Sequence, residues 1–179
     1  VTGQRIGEVS GIAASELDLN ELTPVWKLPD TRTKNREPHR VPLSPLALRL
    51  IEEAQKLAFD SPWLFPSPSG DGPIDPHAAT KALDRARPAI GISDFRVHDL
   101  RRTAATRMEE MGVPPHVISH ILNHVSVSKA SITKKVYSRY TYDKEKREAL
   151  NAWATRLERI VAGDDRANIT QMKHAGNQW

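Results

Sequence analysis

The sequence predicts a mainly α-helical protein with a small antiparallel β-sheet inserted early, an α+β class. Three observations carry the prediction. Ser44-Pro45, Asp75-Pro76 and Pro114-Pro115 each stand directly ahead of a segment with a helical apolar period, and proline suits the first helical position because its missing N–H would find no partner there. Two short runs, VWKL and HRVPL, flank the polar, basic stretch TRTKNRE in the way strands flank a connection. A final amphipathic stretch from Asp143 repeats apolar residues at Leu150, Trp153, Leu157 and Ile160.

Taken in order, TGQRIGEVSGIAASEL reads as a short helix beginning at Thr2 or Gly3, with Ile6, Val9 and Ile12–Ala13 as its buried stripe. The two strands and their basic connection follow. Ser44 caps a helix through LALRLIEEAQKLA. SPWLFPSPSGDGPID, rich in Pro, Ser and Gly, is an irregular loop. Asp75-Pro76 opens HAATKALDRAR, a further helix begins near His98 or Asp99 and ends at Gly112, and Pro114-Pro115 starts HVISHILN. The polar HVSVSKASITKK leads to VYSRYTY and the last helix, and from Gly163 onward no apolar period remains, so the tail is expected to be loose.

The chain has 179 residues, enough for one domain with a proper core, and its 39% hydrophobic and 27% charged content is that of a globular protein. No run of about 18 apolar residues could span a membrane. No secretory signal stands at the start, and Val1 is not a natural initiator, so the sequence is expected to begin inside a longer protein. The lack of cysteine excludes disulfides and thiolate metal sites and fits a reducing, cytoplasmic setting. A net charge of +4 and a pI near 9.5 lean mildly toward an anionic partner.

Four features could carry chemistry. In FRVHDLRRTAATRM, His98 and Arg101 lie three apart at a helix start, where side chains share a face and the dipole end is positive, so a phosphate would find donors and charge together. Arg102 points about 100° away and reads as a surface residue. A solvated basic helix is the alternative. Arg5 and Glu8 repeat the spacing near the start of the chain, as a second phosphate clamp or as an ordinary exposed pair. His116, His120 and His124 recur every four residues, which suggests zinc. Asn123 is suited to end the helix in the left-handed conformation and take His124 off the stripe, and no acidic or Cys ligand adjoins, so a metal is discounted. Tyr137, Tyr140 and Tyr142 in VYSRYTY are candidate nucleophiles, provided a base takes the proton and cations stabilise the transition state; packing is the alternative.

In this order the motifs resemble the catalytic domain of the tyrosine recombinases, in the phage-integrase branch, over roughly Thr2 to Ile160. TGQRIGEV matches the first box and carries over Arg5 as the first catalytic arginine and Glu8 as its supporting acid. TRTKNREPHRVPLS resembles the β-hairpin whose lysine corresponds to Lys34. FRVHDLRRTAATRM is the second box, with His98 and Arg101. ILNH corresponds to a Leu-Gly-His element and gives His124, with Asn123 standing where many members have Gly. VYSRYTYDKEKREALNAWA resembles the nucleophile segment, with Tyr137 as the match and Tyr140 and Tyr142 as lesser candidates.

The resemblance implies a catalytic domain over residues 1–162, an absent N-terminal DNA-clamping domain, and a loose tail over 163–179. It implies a bacterial or phage-encoded site-specific recombinase that cuts and rejoins double-stranded DNA without metal or other cofactor, through a 3′-phosphotyrosyl bond. Other protomers in a tetrameric synapse and DNA-bending accessory proteins would be its partners. Relaxation of supercoils in the manner of a type IB topoisomerase, or binding by a non-cleaving integrase remnant, are the alternatives. The last helix, with Trp153, could pack on a neighbouring protomer or on its own domain.

Overall fold

The computed structural model describes residues 1–20, 22–92, 94–124 and 140–164. Tyr137 and all but the first two residues of the expected tail lie outside the described residues.

Six α-helices and one three-stranded sheet make up the described architecture. Helix α1 spans Ile6–Ser10, strand β1 Leu17–Asp18, β2 Val25–Leu28 and β3 His39–Pro42; α2 spans Pro45–Ala58, α3 Pro76–Ile90, α4 Val97–Glu110, α5 Pro115–Ile121 and α6 Asp143–Val161. The sheet is antiparallel in the order β1-β2-β3, with Trp26 opposite Val41 and Leu28 opposite His39. β1 is absent from the sequence reading because two residues carry no alternation. It is held as an edge by pairing Leu17 with Trp26 and by the Lys27–Asp18 ion pair.

Helix starts follow the sequence chemistry. Ser44 Oγ accepts the Ala47 N–H at 3.3 Å and Asp75 Oδ1 accepts the His77 N–H at 2.7 Å, each ahead of a proline. α1 departs from expectation: it starts at Ile6, because Gly3 takes φ 68 and Arg5 is extended, which leaves Arg5 as the residue before the helix. α3 also runs beyond the expected Arg87, through Pro88, and stops at Gly91 with φ 72.

Trp26, Leu28 and Val41 of the sheet, Ile51 of α2, Met108 of α4, Ile118 and Ile121 of α5 and Leu150 and Trp153 of α6 form one core. Leu150 and Trp153 of the last helix therefore pack on their own domain. The start of α6 is pinned to β3: Arg40 Nε donates to Asp143 Oδ2 at 2.6 Å and Lys146 Nζ donates to the Arg40 carbonyl at 2.7 Å. Among the described residues no helix is long and apolar enough to cross a membrane.

His39 shows how tightly the sheet is fitted to α5. Its Nε2 lies 3.1 Å from the Ile121 carbonyl, so that nitrogen carries the proton and donates. Burial first, then the Lys146 charge, push the imidazole down to about 4, against the opposing pull of the Ile121 bond. The unfolded chain binds this proton near pH 6.5 and the folded one does not, so the stabilisation from a neutral His39 is complete above pH 6.5 and is lost as pH falls toward 4. A lowering of this size corresponds to roughly 3 kcal/mol. Urea unfolding from pH 4 to 7 tests this: the stability difference between the native chain and His39→Gln is expected to grow with pH over that interval. A difference that stays constant across it would remove the assignment.

Candidate active site

The site gathers around the C-terminal end of α5. A helix leaves its last carbonyls without intrahelical partners, and here the final one, Ile121, and the two that follow it in the turn are met by side chains from other elements. The Ile121 carbonyl accepts from Gln4 Nε2 at 2.9 Å as well as from His39. The Leu122 carbonyl accepts from Arg101 Nη2 and the Asn123 carbonyl from Arg5 Nη2 at 3.3 Å. The chain turns out of the helix at Asn123 with φ 49, and the His124 N–H reaches back to the Ser119 carbonyl at 3.0 Å, with Asn123 N–H on the His120 carbonyl. This is the two-bond closure that a left-handed residue permits. It sets His124 just past the helix end, as the sequence predicts.

Arg101 comes from the second turn of α4 and is only 6% exposed. Its Nη1 donates to the Gly3 carbonyl at 2.7 Å, so the left-handed Gly3 turns its oxygen toward the guanidinium. Burial, then the neighbouring Arg5 charge, lower Arg101 to about 10, with Glu8 opposing. Arg5 is held on its other side by Glu8: Oε1 accepts from Arg5 Nη1 at 2.9 Å and Oε2 from the Arg5 backbone N–H at 3.1 Å. Glu8 is 3% exposed, a buried carboxylate made tolerable by these bonds. One carboxylate thus serves two guanidiniums and leaves a positive surplus.

His98 lies one turn before Arg101 on α4 and is exposed. His124 feels His98 as well as both arginines: burial first, then Arg101, Arg5 and His98, push its imidazole below the ordinary value. Arg5, Glu8, His98, Arg101 and His124 are therefore brought together. Lys34 sits exposed in the turn between β2 and β3, whose Asn35 is hydrogen-bonded to Asn123. Tyr137, the remaining sequence candidate, lies outside the described residues. Arg102 points away, exposed, toward Asp99 at 3.6 Å.

The other tyrosines have different occupations. Tyr140 Oη donates to Glu145 at 2.8 Å, and that carboxylate raises the phenol's pKa, the opposite of activation. The Tyr142 ring stacks on His120 with centroids 4.2 Å apart and meets His116 edge-on at 5.7 Å. His116 and His120 thus pack with an aromatic ring while His124 leaves the stripe; among the described residues no cluster of three His, Asp or Glu could hold a metal.

Sequence reasoning missed Gln4, His39 and Arg32. Arg32 pairs with buried Glu16, which also accepts the Trp26 indole N–H at 2.9 Å, and donates to the Glu8 carbonyl at 2.8 Å, tying the β2–β3 connection to α1. Its place in a basic run gave no separate signal. His39, as a polar residue at a strand position whose neighbours alternate, could have been singled out.

The model of the phage integrase family matches residues 1–143, which contain all of these residues. The chain belongs to the phage integrase family. A prophage integrase of Escherichia coli K12, IntA, is 31% identical over 165 residues, covering 91% of this chain and 38% of its own length. The tyrosine recombinase XerD of Rhizobium meliloti is 28% identical over 148 residues, with 79% and 46% coverage. This family member therefore spans less than half the length of either relative. The crystal structure of the XerA recombinase shares its fold, with a TM-score of 0.57 at 22% identity over 93% of this chain and 55% of that one. The Tn1549 transposon integrase, solved with circular intermediate DNA, matches with a TM-score of 0.56 at 18% identity, over 82% and 53%.

The electrostatic arrangement is checked through His124. Replacing Arg101 by Gln removes the charge that, after burial, depresses it most, so the His124 midpoint in an NMR titration is expected to rise toward its ordinary value. A midpoint unmoved by the substitution would mean that the two side chains do not share a site.

Proposed function

We propose that this phage integrase family member is the strand-cutting and rejoining domain of a site-specific recombinase acting on double-stranded DNA in the cytoplasm of a bacterial host. The observation that carries this reading is the convergence of Arg5 and Arg101 on consecutive carbonyls, beside His98 and His124, in a chain of this family. Two guanidiniums and two imidazoles around one point suit a phosphate, whose non-bridging oxygens need charge and donors fixed in advance. The DNA-bound state of the Tn1549 transposon integrase, a structural neighbour, supports DNA as the ligand.

In this reading Tyr137 attacks the backbone phosphorus in line. Its phenolic oxygen bonds phosphorus, the bond to the 5′ oxygen breaks, and a 3′-phosphotyrosyl link forms. His98 takes the tyrosine proton and Lys34 gives one to the departing 5′ oxygen. Arg5, Arg101 and His124 stabilise charge on the non-bridging oxygens, with Glu8 orienting Arg5. Each arginine commits two side-chain N–H groups to the protein, which leaves further donors of its five for a phosphate. The phosphodiester energy is kept in the covalent link, so a 5′-hydroxyl from another strand reverses the step without ATP or a metal. Exchange between duplexes requires other protomers, as a tetrameric synapse, and DNA-bending accessory proteins fit the same reaction.

The test is covalent trapping on pooled duplexes nicked so that the 5′-hydroxyl fragment is lost after cleavage. A protein–DNA adduct that survives denaturant is expected from the native chain, from Tyr140→Phe and from Tyr142→Phe, and none from Tyr137→Phe. An adduct lost with Tyr140 or Tyr142 would move the nucleophile. Adduct with relaxation of supercoiled circles but no exchange would assign a topoisomerase-like activity, and no adduct from any chain would leave a binding module.

A further inference from the structure

Asn123 is the residue at which the parts of the site meet. Its carbonyl accepts from Arg5, His124 follows it directly, and its side chain is paired with Asn35 by two hydrogen bonds. Asn35 Nδ2 donates to Asn123 Oδ1 at 2.8 Å, and Asn123 Nδ2 donates back to Asn35 Oδ1 at 3.2 Å. Asn35 is 88 positions away in sequence and adjoins Lys34 in the exposed β2–β3 turn.

That turn is closed on itself by Thr33, whose Oγ1 donates to the Glu37 carbonyl at 2.8 Å and accepts the Glu37 N–H at 3.0 Å. Its base is anchored by Arg32 on Glu16 and on the Glu8 carbonyl. The turn is therefore braced within itself and at its base, and the Asn35–Asn123 pair ties its tip to the end of α5.

The choice of residue at position 123 separates two duties. The backbone there needs φ 49, which glycine adopts with no side-chain penalty and asparagine tolerates less well than glycine. Asparagine therefore gives no gain over glycine in reaching this φ. What it adds is a side-chain amide with one donor and one acceptor aimed at a matching amide.

Resting on the function proposed above, we propose that Asn123 is a positioning residue: by pairing with Asn35 it docks the Lys34-bearing turn against the Arg5–Arg101–His124 cluster, so that the lysine ammonium is presented to the 5′ oxygen as it leaves. In that step the phenolic oxygen bonds phosphorus, the P–O5′ bond breaks, and the electron pair left on O5′ takes its proton from Lys34. Proton delivery is the part of the reaction that depends on the turn. A leaving sulfur has no such dependence, because a thiol's acidity near pKa ~8.5 lets it depart as the thiolate.

The experiment compares single-turnover cleavage of duplexes recovered by the trapping assay and resynthesised with either oxygen or sulfur in the 5′ bridging position. On the oxygen substrate, Asn123→Gly and Asn35→Ala are expected to slow cleavage about tenfold or more, through misplacement of a catalytic group. Lys34→Ala, the reference for lost proton donation, should slow it about 10²-fold or more. On the sulfur substrate all three should recover most of the lost rate.

Asn variants slowed equally on both substrates, or not slowed on oxygen, would overturn the docking role while the Lys34 reference left the reading intact. A Lys34→Ala chain with no oxygen–sulfur difference would overturn the lysine's role and the docking with it. A native chain that cleaves neither substrate would overturn the functional reading itself. A second measurement needs no DNA: Asn123→Gly should speed amide hydrogen exchange at Arg36 and Glu37 while Ile121 and Leu122 stay protected. Unchanged exchange in the turn would overturn the docking.

Discussion

The bare C-terminus of α5 is the constraint on which the site depends. Seven residues of helix end in three consecutive carbonyls at Ile121, Leu122 and Asn123 that need donors, and the donors come from Gln4, His39, Arg101 and Arg5. A buried carbonyl left unpaired costs on the order of 1–3 kcal/mol, so the folding of this end recruits two guanidiniums to one place. The negative end of the helix dipole adds to the attraction. Stability and site assembly are satisfied by the same hydrogen bonds. Four segments far apart in sequence, the stretch before α1, β3, α4 and the α5 end, converge there because the core beneath, with Ile121, Leu122, Met108 and Val41, is continuous.

Bringing two arginines together is costly, and the structure shows how the cost is met. Arg101 loses water and faces Arg5, which lowers its pKa to about 10, far enough above neutrality that it stays charged. Glu8 offsets the repulsion from inside the fold, and it closes the first turn of α1 by accepting the Arg5 N–H. The same carboxylate thus fixes where Arg5 begins its helix and where its guanidinium points. His124 is harder to protonate through its burial first and then the positive charges beside it.

The helices and the two longer strands were legible because each rests on local chemistry: proline at a helix start and a period of apolar residues. The grouping of Arg5, Glu8, His98, Arg101 and His124 came from the family resemblance, since three-residue spacing alone left ordinary surface pairs open. What sequence could not supply was the pole around which they gather. The spacing of His98 and Arg101 points to an anion at the start of α4, whereas the structure adds the opposite end of a different helix, through carbonyls that carry no side-chain identity at all. β1 was missed because two residues cannot show alternation, and the α1 start was misjudged because Gly3 turns the chain before the helix begins. The Asn35–Asn123 pair was invisible for a related reason: two asparagines 88 residues apart have no pattern until the fold sets them side by side.

The site divides its groups by how firmly they are held. Arg5, Glu8 and Arg101 are built into the fold by hydrogen bonds to backbone, and Arg101 and Glu8 are nearly inaccessible to solvent. Groups that stabilise charge work best when no reorganisation is needed at the moment charge appears, so rigidity suits the role proposed for them. His98 and Lys34 are exposed instead, one on the first turn of α4 and one on a turn. In the proposed reaction these two groups exchange protons with the reacting oxygens and must also exchange them with water between turnovers, which exposure permits. Exposure, however, leaves a long side chain such as lysine poorly placed. In the proposed docking, the side-chain pair between Asn123 and Asn35 resolves the conflict, since it limits where the lysine can reach without burying its ammonium.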